Sequence, residues 1–461
     1  MRPHRSPARV ISWFGALCLA GCASIGGHGE NAAIPAQDRK GSVAGAEPGE
    51  HPAFPIRGTL TSRYRGRWES DAGDHDLYQV LTLEAGDAET DRVTAHFMGQ
   101  AAYDLDGADS EGNYAFFSLQ DTYDSPVTAR LYHAYADVHE TGLETVRLGR
   151  QLIYETPEVA YFDGVRVETE GLGEKDVQLG IYGGVPVHPY ESSPEGDVIV
   201  GVSGQARPWR GSRLRLDWMH LEDESLLGEN RDDLAAVALD QSFSPGFQVG
   251  GEYSLLEGEQ RDFRLRASAY SAQSDLTAEV SFYKLLRAQG ERAIPFDPFF
   301  ATLFELFPYW QSRMLLSKGF EAGVTLAAGL DLRRVEDSND LGEFNRDFER
   351  YHLTTTFDEL PAELELSLTG ELWESDQSDI RSWGLDLRRQ LTDELAATVG
   401  TYFSLFKYEL YTDSEREDVR TWYTALAWRR AKGPRFDLRY ELEDADLDQF
   451  HYLRLGATWS L

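Results

Sequence analysis

The sequence predicts an all-β fold, a transmembrane antiparallel β-barrel of roughly 22 strands, with about 18 to 24 as the range. Apolar and polar residues alternate through most of the chain, as Val146 and Leu148 do with Arg147. Aromatic residues make up 12% of the 461 positions and Met occupies only 4, which is typical of a β-rich protein. No run of about 18 uncharged apolar residues follows the amino-terminal segment, which excludes membrane-spanning helices. The mean hydropathy of -0.44 fits a barrel with a wet interior, which needs only alternate residues to be apolar.

The amino-terminal segment, residues 1–21, is predicted to be a lipoprotein signal peptide. Basic residues precede a short apolar core from Val10 to Leu19. The following string LAGC, which ends at Cys22, resembles the lipobox of bacterial lipoproteins. This resemblance implies cleavage before Cys22 and acylation of its thiol; the alternative is an ordinary secretory signal with an incidental cysteine. Residues 22–56, rich in Gly, Ala, Pro and charge and without a period, are predicted to form a disordered periplasmic tether.

Residues 57–461 are predicted to form the outer-membrane barrel as a train of consecutive strands. The first strand sets Leu60, Tyr64 and Trp68 against a face that carries arginines. Tight turns such as Ser244–Gly246 alternate with longer acidic connections. Short turns at one rim and longer loops at the other are the pattern of outer-membrane barrels.

The last segment, His451–Leu461, favours a membrane barrel over the alternative of a periplasmic β-sandwich. It alternates apolar residues such as Leu453 and Trp459 with polar residues such as Arg454. It resembles the closing strand of outer-membrane barrels, in which an apolar, usually aromatic, last residue is read by the assembly machinery. Here that residue is Leu461.

Three strings in one stretch carry a resemblance to a known family. They are LYHAYAD at Leu131–Asp137, LGRQ at Leu148–Gln151 and FDGVR at Phe162–Arg166. They resemble the alginate-export type of outer-membrane channel and its porin relatives. The resemblance, which covers about a tenth of the chain, implies a passive conduit for an anionic polysaccharide, lined by arginines.

Successive side chains of a strand point to opposite faces, and the face that carries the apolar residues is called here its apolar parity. If the apolar parity of each strand faces lipid, a set of arginines points into the lumen and forms the predicted pore-lining, anion-binding residues. These are Arg63, Arg65, Arg67, Arg147, Arg166, Arg213, Arg215, Arg264, Arg266, Arg333, Arg388, Arg439 and Arg454. A cationic wall inside a low-dielectric shell concentrates anions. The alternative is that the arginines pair with inward acids and only brace the wall. Those acids are Asp217, Asp331, Asp386, Asp437 and Glu441.

Arg150 and Asp163 fall on the apolar parity of their strands, which is an unusual position for charge. They flank a hairpin connection, so we expect them to pair across it and fix its register. The alternative is two separately solvated charges at the rim.

Two further features concern the predicted loops. The formal net charge is -34, and much of the acidity lies in the predicted outer loops. Such runs are usually solvated surface, the alternative being divalent cations that bridge to lipopolysaccharide. The segment Ile294–Trp310 places Phe300, Phe304 and Phe307 on one helical face. It either constricts the lumen or rests on the membrane interface or a partner, and aromatic residues favour the second position.

These features predict an outer-membrane channel for passive export or diffusion of anionic solutes, with an acidic exopolysaccharide of the alginate type as the preferred solute. A non-conducting scaffolding barrel that holds a periplasmic or surface partner and a general porin are the alternatives. No HExxH or GxSxG motif is present, and no enzymatic activity, cofactor or metal is predicted. Expected partners are outer-membrane lipid, lipopolysaccharide, the permeating anion and periplasmic export proteins, and no nucleic acid. The predicted location is the outer membrane of a Gram-negative bacterium, with the amino terminus lipid-anchored on the periplasmic side.

The lipobox resemblance generates a direct test. Mass spectrometry of the mature protein from membranes should find an amino-terminal peptide that begins at acylated Cys22, and the Cys22→Ser variant should lack the acyl mass. An unmodified terminus at another residue would contradict the predicted lipid anchor.

Overall fold

The computed structural model describes most of the chain from residue 55 onward. The described residues are 55–69, 72–106, 125–139, 142–154, 159–188, 196–225, 228–287, 307–337, 347–375, 379–409, 414–430, 433–445 and 449–461. Cys22, the predicted tether up to residue 54, the connection 107–124 and most of the segment Ile294–Trp310 lie outside them. Within them, no helix is long and apolar enough to cross a membrane.

The described residues form 22 strands in one sheet. The strands are β1 (Ile56–Glu69), β2 (Ala72–Ala85), β3 (Val93–Asp104), β4 (Val127–Val138), β5 (Leu143–Ile153), β6 (Ala160–Thr169), β7 (Gln178–Pro186), β8 (Val198–Ala206), β9 (Ser212–Ser225), β10 (Gly228–Ser244), β11 (Phe247–Leu256), β12 (Glu259–Ser271), β13 (Leu276–Leu285), β14 (Tyr309–Phe320), β15 (Val324–Val335), β16 (Phe348–Leu360), β17 (Leu364–Ser375), β18 (Asp379–Gln390), β19 (Leu395–Glu409), β20 (Ser414–Arg429), β21 (Arg435–Asp444) and β22 (Gln449–Ser460).

The sheet closes on itself because the first strand pairs with the last. Each strand pairs antiparallel with the next along the chain, and β1 pairs antiparallel with β22 from Thr59 opposite Ser460 to Trp68 opposite His451. At this seam the hydroxyls of Thr61 and Thr458 lie 3.2 Å apart. The predicted transmembrane antiparallel barrel of roughly 22 strands is therefore confirmed.

The two rims of the barrel differ in the length of their connections. The rim that holds both Ile56 and Ser460, called here the terminal rim, carries short connections such as 245–246 and 321–323. The opposite rim, called here the loop rim, carries the longest ones, 105–126 and 286–308. This asymmetry is the one that the sequence predicted for a membrane barrel.

The two faces of the wall differ in chemistry and in exposure. On the apolar parity, Leu148 is 61% exposed and Ile181 57%. On the polar parity, Asp76 and Asp262 are fully buried. The concave side of a closed wall is the more crowded one, so the polar parity faces the lumen and the apolar parity forms an outer wall suited to lipid.

Candidate functional site: the charged lumen

The register places every one of the predicted pore-lining arginines on the lumenal parity. On β1, for example, Arg63, Arg65 and Arg67 share the face opposite to Leu60 and Tyr64, and Arg65 faces Asp76 of β2. The same alternation holds on the other strands that carry predicted arginines. A closed wall therefore brings residues far apart in sequence to one interior surface.

Arg313 of β14 and Arg350 of β16 are among the lumenal arginines that sequence reasoning missed. Both lie directly opposite Asp331 of β15 in the register. Arg313 is 3.4 Å and Arg350 3.6 Å from the Asp331 carboxylate. The alternation of Arg313 with Met314 and of Arg350 with Tyr351 was the available signal, but it was obscured by the polar residues around it.

Carboxylates of the wall hold most of the lumenal arginines. Arg147 makes two bonds to Asp137, of 2.7 and 2.9 Å. Arg215 contacts Asp217 at 2.6 Å and Glu252 at 3.2 Å. The remaining pairs are Arg65 with Asp76, Arg67 with Asp74, Arg166 with Glu168, Arg264 with Asp262, Arg266 with Asp240, Arg350 with Glu371, Arg388 with Glu365, and Arg439 and Arg454 with Glu441. The bracing that the sequence left open as an alternative is thus present in the lumen.

In many of these pairs the arginine is the exposed partner and the acid is the buried one. The side chain of Arg264 is 48% exposed and that of Asp262 1%. Arg313 is 54% exposed against 8% for Asp331. Arg454 is 56% exposed against 4% for Glu441. The acids lie against the wall and the guanidinium groups extend beyond them, so a solute in the lumen meets cations first.

Lumenal arginines lie close together at the seam of the barrel, where β1 pairs with β22. Arg65, Arg454 and Arg439 stand directly opposite one another on β1, β22 and β21. Like charges in such cross-strand positions are destabilising, and Glu441 offsets the repulsion with contacts of 2.5 Å to Arg439 and 3.7 Å to Arg454. Arg63, one lumenal position nearer the terminal rim, is exposed and makes no ion pair or hydrogen bond with any described residue.

Inward tyrosines fix several guanidinium groups. The guanidinium carbon of Arg147 lies 3.9 Å from the ring centre of Tyr135, and that of Arg439 lies 4.0 Å from Tyr423. Arg333 lies 3.9 Å from the ring centre of Tyr309. Cation–π contacts at this distance hold the charge in place without neutralising it. Sequence reasoning did not single out these tyrosines, although their parity matches that of the arginines.

Arg150 and Asp163 lie on the outer wall and face one another in the β5–β6 register. Their side chains make two bonds, from Nε at 2.8 Å and from Nη2 at 2.7 Å, and Nη1 of Arg150 donates to the Leu131 carbonyl at 3.0 Å. Next to the pair, Gly149 has a φ of 123°, and a Cβ there would lie 2.2 Å from the Ala134 carbonyl oxygen. The glycine of the LGRQ string is therefore required by the backbone.

An apolar outer wall and a lumen lined by acid-anchored arginines define a transmembrane β-barrel with a charged interior. No protein-family model and no curated protein matches the sequence. Among solved structures, the chain is similar to a BenF-like porin from Pseudomonas fluorescens Pf-5 (TM-score 0.42, 12% identity, 88% of this chain and 98% of that chain). It is also similar to OccK8 (OprE) of Pseudomonas aeruginosa (0.43, 10%, 88% and 97%) and to OccAB3 of Acinetobacter baumannii (0.41, 9%, 88% and 99%). These scores assign the chain to no family, and its function has to be argued from its own residues.

The Arg150–Asp163 pair should have a large coupling energy. Replacing only Asp163 by Val leaves Arg150 unpaired on a lipid-facing wall, which costs about 2–4 kcal/mol at the bilayer midplane and less towards the interfaces. The Arg150→Leu/Asp163→Val double variant should be close to the parent in stability, because a well-packed apolar pair often replaces an ion pair at little cost. Denaturant unfolding in lipid vesicles measures the double-mutant cycle.

The matched control is the outer-wall pair Arg334–Glu349, which lies close to the loop rim. Its coupling should stay below about 1 kcal/mol, as for a solvated pair. A coupling for Arg150 and Asp163 no larger than that of the control would contradict a role in fixing the register.

Proposed function

We propose that this protein is an outer-membrane channel for the passive diffusion of small anionic solutes. The observation that carries the proposal is the orientation of the lumenal ion pairs. Carboxylates such as Asp262 and Glu441 are buried at the wall, while Arg264 and Arg454 are about half exposed in front of them. A low-dielectric shell around such a surface raises the local concentration of anions.

The net charge of -34 does not oppose this selectivity. A buried carboxylate paired with an exposed guanidinium is neutral at a distance, but the nearer charge dominates for a solute in contact with the wall. The exposed and unpaired Arg63 adds a charge that no described carboxylate offsets.

An acidic exopolysaccharide of the alginate type is a narrower candidate for the permeating anion. It was inferred from the strings at Leu131–Asp137, Leu148–Gln151 and Phe162–Arg166. In the structure Arg150 and Asp163 of these strings lie on the outer wall, and Phe162 is fully buried. These residues support the architecture of β5 and β6, so we propose small anions as the solutes and keep the polymer as the second candidate.

The proposed location is the outer membrane of a Gram-negative bacterium, with the terminal rim on the periplasmic side. Short connections at that rim and long ones at the loop rim support this orientation. Lipid attachment at Cys22, which would tether the amino terminus to the periplasmic leaflet, stays a prediction.

Replacing exposed arginines at the seam should lower anion preference without damage to the wall. The Arg63→Gln/Arg454→Gln variant loses two positive charges. Each of them attracts a monovalent anion about 8 Å away by about 0.5 kcal/mol in a water-like dielectric. The partitioning of a monovalent anion into the lumen should therefore fall by up to about fivefold. The ratio of anion to cation permeability should fall by more, because the same change favours cations, as read from the reversal potential in a planar bilayer under a salt gradient.

Two control variants distinguish a role of the arginines in anion preference from a role in the stability of the wall. Arg334→Gln removes an outer-wall charge and should leave the reversal potential unchanged. Arg65→Gln leaves the buried Asp76 without its partner and should mainly lower stability, by about 3–5 kcal/mol for a broken buried pair. A triple replacement of Arg63, Arg65 and Arg67 would change both anion preference and stability, so it would not distinguish the two roles. An unchanged reversal potential in a correctly assembled Arg63→Gln/Arg454→Gln variant would overturn the proposed selectivity mechanism.

A further inference from the structure

Several charged residues on the described outer wall are paired with an opposite charge. Arg150 pairs with Asp163, Arg334 with Glu349, and Lys284 contacts Glu336 at 2.6 Å. Arg231 contacts Glu222 at 3.0 Å. Lone charges that face lipid are costly, which explains why these positions carry acids and bases together.

Two outer-wall arginines, on the strands on either side of β19, differ from this pattern. Arg420 of β20 shares its parity with Trp422 and Leu426, which are exposed on the outer wall, and Arg381 of β18 shares its parity with the exposed Trp383. Within the part of the chain that the structure describes, neither arginine has a carboxylate within 4.0 Å. Each therefore carries a positive charge on the outer wall that no described carboxylate offsets.

Arg420 is held in a fixed position. Its Nη1 donates a bond of 2.6 Å to the Trp383 carbonyl, and its guanidinium carbon lies 4.5 Å from the ring centre of Trp383 and 5.1 Å from that of Phe403. Phe403 is also directly opposite Arg420 in the β19–β20 register. One N–H group is used in this way, and a guanidinium has five, so several donors remain for a ligand.

The height of Arg420 on the wall identifies its surroundings. Its partner Phe403 lies eight residues after Leu395, where β19 begins at the terminal rim. At about 3.3 Å per residue and a tilt of about 40°, this places Arg420 about 20 Å above that rim, against an apolar band of about 25 Å. Below it on the outer wall lie Val399 and Leu426. Arg420 is thus near the upper edge of the band, where acyl chains give way to headgroups.

We propose that the patch formed by Arg381, Trp383, Phe403, Arg420 and Trp422, called here the Arg420 patch, binds the phosphate of an anionic membrane-lipid headgroup. Guanidinium groups bind phosphate with two parallel hydrogen bonds, and the aromatic residues favour the interface where that phosphate lies. The acyl chains of the same lipid would cover the apolar wall below. This site is on the outside of the barrel and does not depend on conduction through the lumen.

Native mass spectrometry of the full-length protein tests the proposal. The protein, in detergent micelles, is titrated with a bisphosphorylated glycolipid and, separately, with the dephosphorylated form of that lipid. The parent should bind the phosphorylated form more tightly. Near a charged surface each arginine contributes about 1 kcal/mol. Arg420→Gln should therefore weaken binding about fivefold, and Arg381→Gln/Arg420→Gln about twentyfold or more. Arg420→Lys should fall between the parent and Arg420→Gln, because it keeps the charge but loses the planar geometry.

The matched control is Arg334→Gln, which removes a paired outer-wall arginine and should bind like the parent. Heat-modifiable gel mobility reports whether each variant is folded, and the Arg420→Lys comparison stands even if the double variant does not assemble. Equal binding by the double variant and the parent would overturn the proposal. Equal binding of the two lipid forms, an equal loss in Arg334→Gln, or displacement of the lipid by the same concentration of inorganic phosphate would also overturn it.

Discussion

Backbone hydrogen bonding in a hydrocarbon environment is the constraint on which the structure depends. Water cannot satisfy an N–H or C=O group there, so a spanning sheet must have no free edge. The pairing of β1 with β22, whose Thr61 and Thr458 hydroxyls lie 3.2 Å apart, removes the two edges that a linear sheet would have. Once the sheet is closed, strict alternation follows, because every residue faces either lipid or the lumen.

Closure of the sheet also brings many charged side chains close together inside the barrel. Arginines and acids on one parity of many strands are confined to a small interior volume. Many of them are paired along a strand or across to nearby strands, as Arg215 is with Asp217 of its own strand and with Glu252 of β11. The short acid side chains stay at the wall and the longer arginines extend past them, which gives a neutral wall a cationic surface. Under the proposed function, bracing and anion preference are therefore two consequences of the same pairs.

The sequence predicted the architecture well because alternation is a local signal. Roughly 22 strands were expected, and the described residues form 22. The parity of each arginine follows from its strand alone. The partners do not, since Arg350 depends on Asp331 and Glu371 from two different neighbours. That Arg63 and Arg420 have no described carboxylate partner likewise depends on register and side-chain reach, which alternation does not encode. The strings at 131–166 were interpreted as marks of function. Of their charged residues, Arg150 and Asp163 lie on the outer wall, whereas Asp137 and Arg166 lie on the lumenal parity.

The sign of the ion preference of the unmodified channel tests the central claim most directly. The purified protein is inserted into a planar bilayer, and the reversal potential is measured in a salt gradient at low and at high ionic strength. The arrangement of buried acids and exposed arginines predicts anion preference that weakens as salt screens the wall charges. Cation preference at low salt, or the absence of conductance from correctly inserted protein, would contradict it.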